Sequence, residues 1–267
     1  MRLPHGSRWL LAALFIGMFL PMTHLPTDEN QLWAEIIEIP AARDNTLIEH
    51  PQGALSNGSG SRFFAGRTNQ QEGRSLRRGL IQFDIAGEVP QGATITDVSL
   101  NLHVSDTRAS SAPVDFHRLL ADWGEGASDA LGEEGSGATA MVNDATWLHT
   151  FSDTSTWNTP GGDFVPTSSG TVTISSFGGT QTWGDTSLLA QDVQLWLDDP
   201  SMNFGWLLKG DETTNFTAFR FDSRENGNEA NRPFITVEYT TVPEPSTVLL
   251  TLLAAGGMLC RRKFLQG

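Results

Sequence analysis

Apolar residues alternate with polar ones along several short segments of this chain, which is the pattern of half-buried β-strands. In the segment 93–104, Val98, Leu100, Leu102 and Val104 occupy every second position, with polar residues between them. Clusters of Gly, Ser, Asn and Pro, which favour turn conformations, separate such segments from one another. The pattern predicts an all-β protein, either a sandwich or a barrel.

Ten segments of the chain have this strand pattern. In chain order they are 35–39, 46–49, 62–66, 75–85, 93–104, 114–120, 171–176, 204–208, 216–221 and 233–239. We expect 75–85 and 93–104 to pair as a hairpin, because turn residues lie between them at 90–92.

A single segment, 187–199, has apolar residues at helical spacing and predicts one short helix. Ser187 is the predicted N-cap, and Pro200 is expected to end the helix. By contrast, the segment 122–164 has almost no regular pattern. Long irregular segments inside a compact domain are more often functional than accidental, so we expect a binding face there.

The start of the chain has the pattern of an export signal. Arg2 and Arg8 precede an apolar run over 9–20, as in a secretory signal peptide. We predict a signal peptide over 1–34, with cleavage between Pro21 and Ala34. An uncleaved N-terminal anchor is the alternative, and either version exports the rest of the chain.

The end of the chain combines a stiff spacer, an apolar run and a basic cluster. Prolines favour an extended spacer over 242–246, and the run 247–260 carries no charge. This run is short compared with the ~20 residues of a typical spanning helix. The residues Arg261, Arg262 and Lys263 follow at once, however, and such clusters stay on the cytoplasmic side of a membrane. We therefore predict a C-terminal membrane helix, with a plain tail anchor as the simplest alternative.

In this order, the three parts resemble the PEP-CTERM sorting signal of bacteria that produce exopolysaccharide. The resemblance implies that an exosortase, a membrane-embedded cysteine transpeptidase, recognises Pro243, Glu244 and Pro245 and removes the tail. The signal would cover 242–267. It implies transient anchoring in the inner membrane, followed by release to the cell surface or the extracellular matrix.

The charge of the exported part changes the expected range of partners. Residues 35–241 contain 28 acidic and 12 basic side chains, which gives a formal charge of −16. Such a surface repels nucleic acid, so no nucleic-acid partner is expected. The only cysteine, Cys260, lies in the C-terminal apolar run, so the exported domain contains no disulfide.

Several phrases of the exported domain resemble a DNRLRE-type domain, a carbohydrate-binding-module-like fold of secreted bacterial proteins. Spread over Arg77–Thr240, they are RRGLIQFDI, VPQGATITDVSLNLHV, RLLADWGEG, ATWLHT, WNTPGGDF, DVQLWLDDPSMNFGWLLKGDE and FRFDSRENGNEANRPFITVEYT. The resemblance implies a single antiparallel, jelly-roll-like β-sandwich over 35–241. It also implies glycan binding, which some members of the family show.

Aromatic side chains are the first candidates for contact with a glycan, because a flat apolar ring can stack on a sugar. The candidates in or near loops are Trp123, Trp147, Trp157, Phe164 and Trp183. The alternative for each is burial, since tryptophans supply large apolar areas to sandwich cores.

A structural Ca²⁺ ion is expected by analogy with similar sandwich modules. Hard cations take oxygen ligands, and Asp44, Asp222 and Glu225 could converge if the two chain ends lie together. Arg224 beside Glu225 predicts a half-buried ion-pair network that holds the last loop. An arginine that binds the carboxylate of an acidic sugar is the alternative.

Catalytic motifs with a recognised spacing do not occur in the sequence. We therefore expect a protein that is not an enzyme: an exported, non-catalytic polysaccharide-binding or structural protein of the cell envelope, extracellular matrix or biofilm. Its expected partners are the exosortase, the membrane and extracellular polysaccharide. The alternative is a polysaccharide-active lyase or glycosidase, because the many carboxylates include possible catalytic pairs.

Overall fold

The computed structural model describes residues 33–241, except 176–177 and 185. Its strands are β1 (Trp33–Ile48), β2 (Leu55–Ser56), β3 (Arg62–Arg67), β4 (Leu76–Phe83), β5 (Thr94–Thr107), β6 (Ala112–Arg118), β7 (Ala138–Thr139), β8 (His149–Phe151), β9 (Ser155–Thr156), β10 (Gly170–Ile174), β11 (Thr180–Trp183), β12 (Trp206–Gly210), β13 (Phe219–Asp222) and β14 (Phe234–Thr241). Its α-helices are α1 (Ile85–Glu88) and α2 (Ser187–Asp198). The predicted sorting signal and nearly all of the predicted signal peptide lie outside the described residues.

Ten of the described strands form two antiparallel layers, and the pairs β2–β7 and β8–β9 form separate two-stranded sheets. One layer contains the first half of β1 with β14, β5 and β11, and the other contains the second half of β1 with β4, β12, β6 and β10. Strands β3 and β13 pair with each other and connect the layers. An antiparallel all-β fold is therefore confirmed, and its arrangement is consistent with a sandwich.

Strand β1 belongs to both layers. Its residues 33–40 pair with β14, and its residues 41–48 pair with β4 after a bulge between Ala41 and Arg43. The predicted break between 39 and 46 is therefore wrong, because the polar residues there continue the strand. Asn45 is fully buried, and its side chain donates a 2.8 Å hydrogen bond to the Glu125 carbonyl. A bulge lets one strand bend from one sheet into the other.

The predicted hairpin between 75–85 and 93–104 does not form. Strand β4 pairs with β1, β3 and β12, whereas β5 pairs with β11, β13 and β14. The connection contains α1, whose first turn is capped by the Asp84 carboxylate accepting a 3.1 Å bond from the Gly87 N–H. Ile85 is fully buried and fixes this connection as it crosses between the layers.

Helix α2 confirms the predicted helix, but its N-cap is Thr186, one residue before the predicted cap Ser187. The Thr186 hydroxyl, not that of Ser187, caps the helix by accepting a 3.2 Å bond from the Leu189 N–H. Pro200 ends the helical run and starts a short 3-10 turn. Among the described residues, no helix has both the length and the hydropathy needed to span a membrane.

The main core is aromatic and lies between the layers. Trp196 of α2 packs edge-on against Trp206 of β12, with ring centroids 4.5 Å apart. Phe116 packs edge-on against Trp183 at 5.0 Å. Helix α2 is therefore held on the sandwich by burial of its apolar face.

A second apolar core lies where the irregular segment 122–164 packs against the β4 and β12 layer. It consists of Leu47, Leu80, Leu119, Trp123, Ala145, Trp157 and Leu207. Backbone bonds close the segment on itself, including a 2.7 Å bond from the Gly161 N–H to the Trp147 carbonyl. The segment is therefore a folded cover on the sheet rather than an open loop.

Candidate functional site

Three of the five aromatic candidates are core residues. Trp123, Trp157 and Trp183 are 0%, 4% and 0% exposed. Each indole N–H donates to a backbone carbonyl, at 2.8, 2.9 and 3.0 Å respectively. Because no ring face reaches solvent, the expectation that these three stack on a glycan is corrected: they stabilise the two cores.

The other two candidates, Trp147 and Phe164, are half-buried and both lie beside the guanidinium group of Arg78. The guanidinium carbon of Arg78 is 4.9 Å from the Trp147 ring centroid and 5.5 Å from that of Phe164. Both rings also pack against the second core. The structure thus brings together two aromatic residues that are 17 positions apart in sequence.

Hydrogen bonds hold Arg78 in place beside these rings. Its Nε and Nη2 donate to the two carboxylate oxygens of Glu212 at 2.7 and 3.0 Å, and its Nη1 donates to the Gly161 carbonyl at 2.7 Å. The side chains of Arg78 and Glu212 are only 12% and 15% exposed. A two-point contact between a guanidinium and a carboxylate fixes the plane of the arginine.

His117 completes this group of side chains. Its ring centroid is 5.0 Å from that of Phe164, and its Nδ1 lies 2.9 Å from the Val165 carbonyl oxygen. A carbonyl accepts only a proton donor, so Nδ1 carries a hydrogen. Burial lowers the pKa of His117 below its ordinary value.

We call Arg78, His117, Trp147, Phe164 and Glu212 the outer-face patch. Arg78 lies two residues from the buried Leu80 on β4. Because side chains alternate between the two faces of a strand, Arg78 and Leu80 lie on the same face of β4. The Arg78 guanidinium bonds to the Glu212 carboxylate and to the Gly161 carbonyl, and the carboxylate also pairs with Lys209 at 3.8 Å. The partly exposed rings are therefore the surface that the outer-face patch offers to a ligand.

Two of the three predicted metal ligands lie in one acidic cluster. The buried Asp44 accepts a 2.8 Å bond from the Arg224 N–H, and its own N–H donates to Glu125 Oε1 at 3.0 Å. Arg224 Nη1 forms salt bridges with Glu225 and, at 3.5 Å, with Glu125. The predicted half-buried ion pair of Arg224 and Glu225 is confirmed.

The electrostatics of this cluster are not fully balanced. Asp44 Oδ1 and Glu225 Oε2 are buried and have no hydrogen-bond partner among the described residues. Burial raises the pKa of Asp44 well above its ordinary value and also raises that of Glu125. A proton or a cation at Asp44 would relieve the cost of burying its charge.

The third predicted ligand, Asp222, forms a separate pair. Its Oδ2 lies 2.6 Å from His103 Nδ1 and accepts a 3.1 Å bond from the Asn231 side chain. The Gly179 N–H donates to His103 Nε2 at 3.2 Å, so the hydrogen of this neutral imidazole is on Nδ1. Both ring nitrogens of His103 are thus occupied within the protein.

Glu125, Arg78 and Glu212 also belong to these sites, although the sequence pattern did not indicate them as candidates. Glu125 reaches Asp44 across 81 residues, from a segment without periodicity. Nothing local marks it as a neighbour of β1. No group of three or more His, Cys, Asp or Glu side chains with metal-binding geometry occurs within the described part of the chain.

Comparisons with known proteins add no relative to this description. No protein-family model matches the chain, and a search of curated proteins gives no match. The side chains described above and the motifs quoted from the sequence are therefore what indicates a function for this protein.

Proposed function

We propose that this protein is an exported, non-catalytic polysaccharide-binding protein of the cell envelope or extracellular matrix. The observation that carries the proposal is the pair of half-buried rings, Trp147 and Phe164, that both contact the Arg78 guanidinium. Rings held in one orientation lose little conformational entropy when a sugar stacks on them. A rigid sandwich that carries such a platform suits adhesion to a polymer.

Export and processing belong to the same proposal. The N-terminal signal directs the chain out of the cytoplasm, and the C-terminal helix holds it in the membrane until an exosortase acts at Pro243, Glu244 and Pro245. Arg261, Arg262 and Lys263 stay on the cytoplasmic side. The jelly-roll-like connection of the strands, inferred from the DNRLRE resemblance, is also part of this proposal.

A structural Ca²⁺ ion is proposed at the acidic cluster. Asp44 and Glu225 would hold it through the carboxylate oxygens that have no partner, and Glu125, which accepts a bond from the Asp44 N–H, would be a further ligand. Arg224 competes for the same carboxylates, so calcium binding would require its side chain to move outward. When bound, the ion would neutralise buried negative charge and fix the last loop to β1.

The test is affinity gel electrophoresis of the purified protein through neutral and acidic polysaccharides, followed by analysis of each polymer. We expect retardation in at least one gel without any change in polymer length. Shortened polymer or new reducing ends would instead favour the alternative, a lyase or glycosidase. Unretarded migration in every gel, with intact polymers, would favour a purely structural matrix protein.

A further inference from the structure

Two adjoining cavities lie along the loop that joins β3 to β4. The first has a volume of about 420 Å³, and its lining includes Arg67, Gln70, Arg108 and Phe216. The second has a volume of about 450 Å³, and its lining includes Gln70 and Arg74. Because Gln70 contributes to both walls, we treat them as one surface and call it the hairpin groove.

The arginines of the hairpin groove differ from the others in the domain. Seven of the eleven arginines of the described residues form salt bridges with acidic side chains, namely Arg43, Arg62, Arg78, Arg118, Arg220, Arg224 and Arg232. Of the remaining four, Arg77 is fully buried. The other three are Arg67, Arg74 and Arg108, and all of them line the hairpin groove.

Acidic side chains are absent from the groove lining, as far as the described residues show. Glu72 lies on the same loop but lines neither cavity. In a domain whose formal charge is −16, three arginines without an acidic partner form a local positive site on a negative surface. Such a site attracts anions at close range, while the rest of the surface repels them.

An aromatic ring stands beside these charges. Phe216 is 42% exposed, and its ring centroid lies 5.9 Å from the guanidinium carbon of Arg108. Its backbone has a φ of +64°, a conformation that bulky side chains rarely adopt. Backbone strain of this kind occurs preferentially at functional sites.

Hydrogen bonds from and to Arg67 hold the residues on both sides of Phe216. The Arg67 carbonyl accepts bonds from the Thr217 and Ala218 N–H groups at 2.9 and 3.1 Å. The Arg67 side chain donates to the Asn215 side chain at 2.9 Å and to the Glu212 carbonyl at 3.0 Å. These acceptors are uncharged, so the positive charge of Arg67 is not neutralised by them.

We infer that the hairpin groove binds an acidic polysaccharide, with Arg67 and Arg108 contacting the carboxylates of uronate residues and Phe216 stacking on a sugar ring. The choice of a polysaccharide as occupant depends on the proposed function. The anionic character follows from the arginines alone. A uronate polymer carries one carboxylate per charged ring beside apolar C–H faces, which matches spaced arginines and an aromatic ring.

The test compares polygalacturonate with the same polymer after chemical reduction of its carboxyl groups. Binding is measured by isothermal titration with the full protein and three variants: Arg108→Gln, Phe216→Gly and Arg232→Gln. Arg232→Gln is the matched control, because it removes the same charge outside the groove, where Arg232 pairs with Glu229 at 3.5 Å. Phe216→Gly removes the ring while keeping a residue that tolerates the positive φ.

We expect the native protein to bind the acidic polymer at least tenfold more tightly than the reduced one. Arg108→Gln should weaken that binding by about tenfold, as expected for loss of one charge-assisted contact. Phe216→Gly should weaken it without lowering the melting temperature, and Arg232→Gln should leave it within about twofold.

Three results would overturn the inference. Equal affinity for the acidic and the reduced polymer would show that the carboxylates of the polymer do not contribute to binding. The proposed polysaccharide-binding function would remain intact. Binding of the acidic polymer that is insensitive to both groove variants would place the contact elsewhere. Absence of binding to either polymer would also refute the inference, while the gel retardation test with other polysaccharides would still decide the proposed function.

Discussion

Arg78 lies against the face of Trp147, with its guanidinium carbon 4.9 Å from the ring centroid. The same guanidinium bonds to both carboxylate oxygens of Glu212, so one side chain fixes an aromatic ring and joins β4 to the loop after β12. This contact connects the folded cover to the sheet. It therefore links the stability of the domain to the geometry of the outer-face patch.

Removing the half-buried Trp147 ring should weaken polysaccharide binding and should cost less stability than removing a fully buried tryptophan. We expect Trp147→Ala to lower affinity by about tenfold, as for a single aromatic anchor. The lost contact with Arg78 should cost about 1 kcal/mol of stability, and the lost packing against the second core adds to that cost. Gel retardation and thermal unfolding measure the two effects separately.

The matched control for this variant is Trp183→Ala, because Trp183 is fully buried in the main core. That change should cost about 3–5 kcal/mol of unfolding free energy. A Trp147→Ala protein that bound as well as the native one would remove the outer-face patch from the site.

Each single variant that breaks the pair of Arg78 and Glu212 should lose stability. The double variant should lose less stability than the two single variants added together. Arg78→Met leaves the largely buried Glu212 carboxylate with only Lys209, 3.8 Å away, as an ion-pair partner, for a loss of about 2–3 kcal/mol. Arg78→Met combined with Glu212→Gln should lose clearly less than the sum of the singles. Chemical denaturation of the native protein, the two single variants and the double variant gives the coupling free energy between Arg78 and Glu212. Additive losses of stability would show that the pair does not act as a unit.

Acid should destabilise the protein partly through His117. Because burial lowers its folded pKa, the unfolded chain takes up a proton first as pH falls below about 6.5. The contribution of the neutral ring is therefore present above that pH and is lost as pH falls towards the folded pKa. His117→Asn should flatten the fall in melting temperature between pH 7 and pH 5, and an unchanged pH profile would contradict this.

The contribution of Asp44 to the pH dependence of stability should have the opposite sign to that of His117. Burial raises its pKa, so the folded state holds a proton more tightly and stability falls as pH rises from about 4 through the folded pKa. In EDTA, Asp44→Asn should therefore raise the melting temperature at neutral pH, by about 2–4 °C for each kcal/mol gained. The gain should disappear near pH 4.

The same variant also tests the calcium proposal. If Ca²⁺ binds through Asp44, excess calcium should stabilise the native protein and have little effect on Asp44→Asn. Equal responses of both proteins to calcium would exclude Asp44 as a ligand.

The strand pattern was predictable from the sequence because alternation is a local property. Val98, Leu100, Leu102 and Val104 face the core as expected. Pairing partners are not local, however, and this is why the hairpin prediction for β4 and β5 failed. The four residues of α1 turn the chain towards the other layer, which a turn signal at 90–92 does not reveal.

The site was less predictable, because membership of a loop does not determine exposure. Trp123 and Trp157 come from the irregular segment, but that segment folds back and buries them against Leu47 and Leu207. Glu125 joins Asp44 only through tertiary contact. In contrast, the neighbours Arg224 and Glu225 form the ion pair that their adjacency predicted.

The central claim is that the protein adheres to extracellular polysaccharide without cleaving it. Its most direct test is co-sedimentation of the purified protein with exopolysaccharide from the producing cells, followed by sizing of the recovered polymer. The claim predicts protein in the polymer pellet and an unchanged polymer length after prolonged incubation. Protein left in the supernatant, or a polymer that becomes shorter with time, would contradict it.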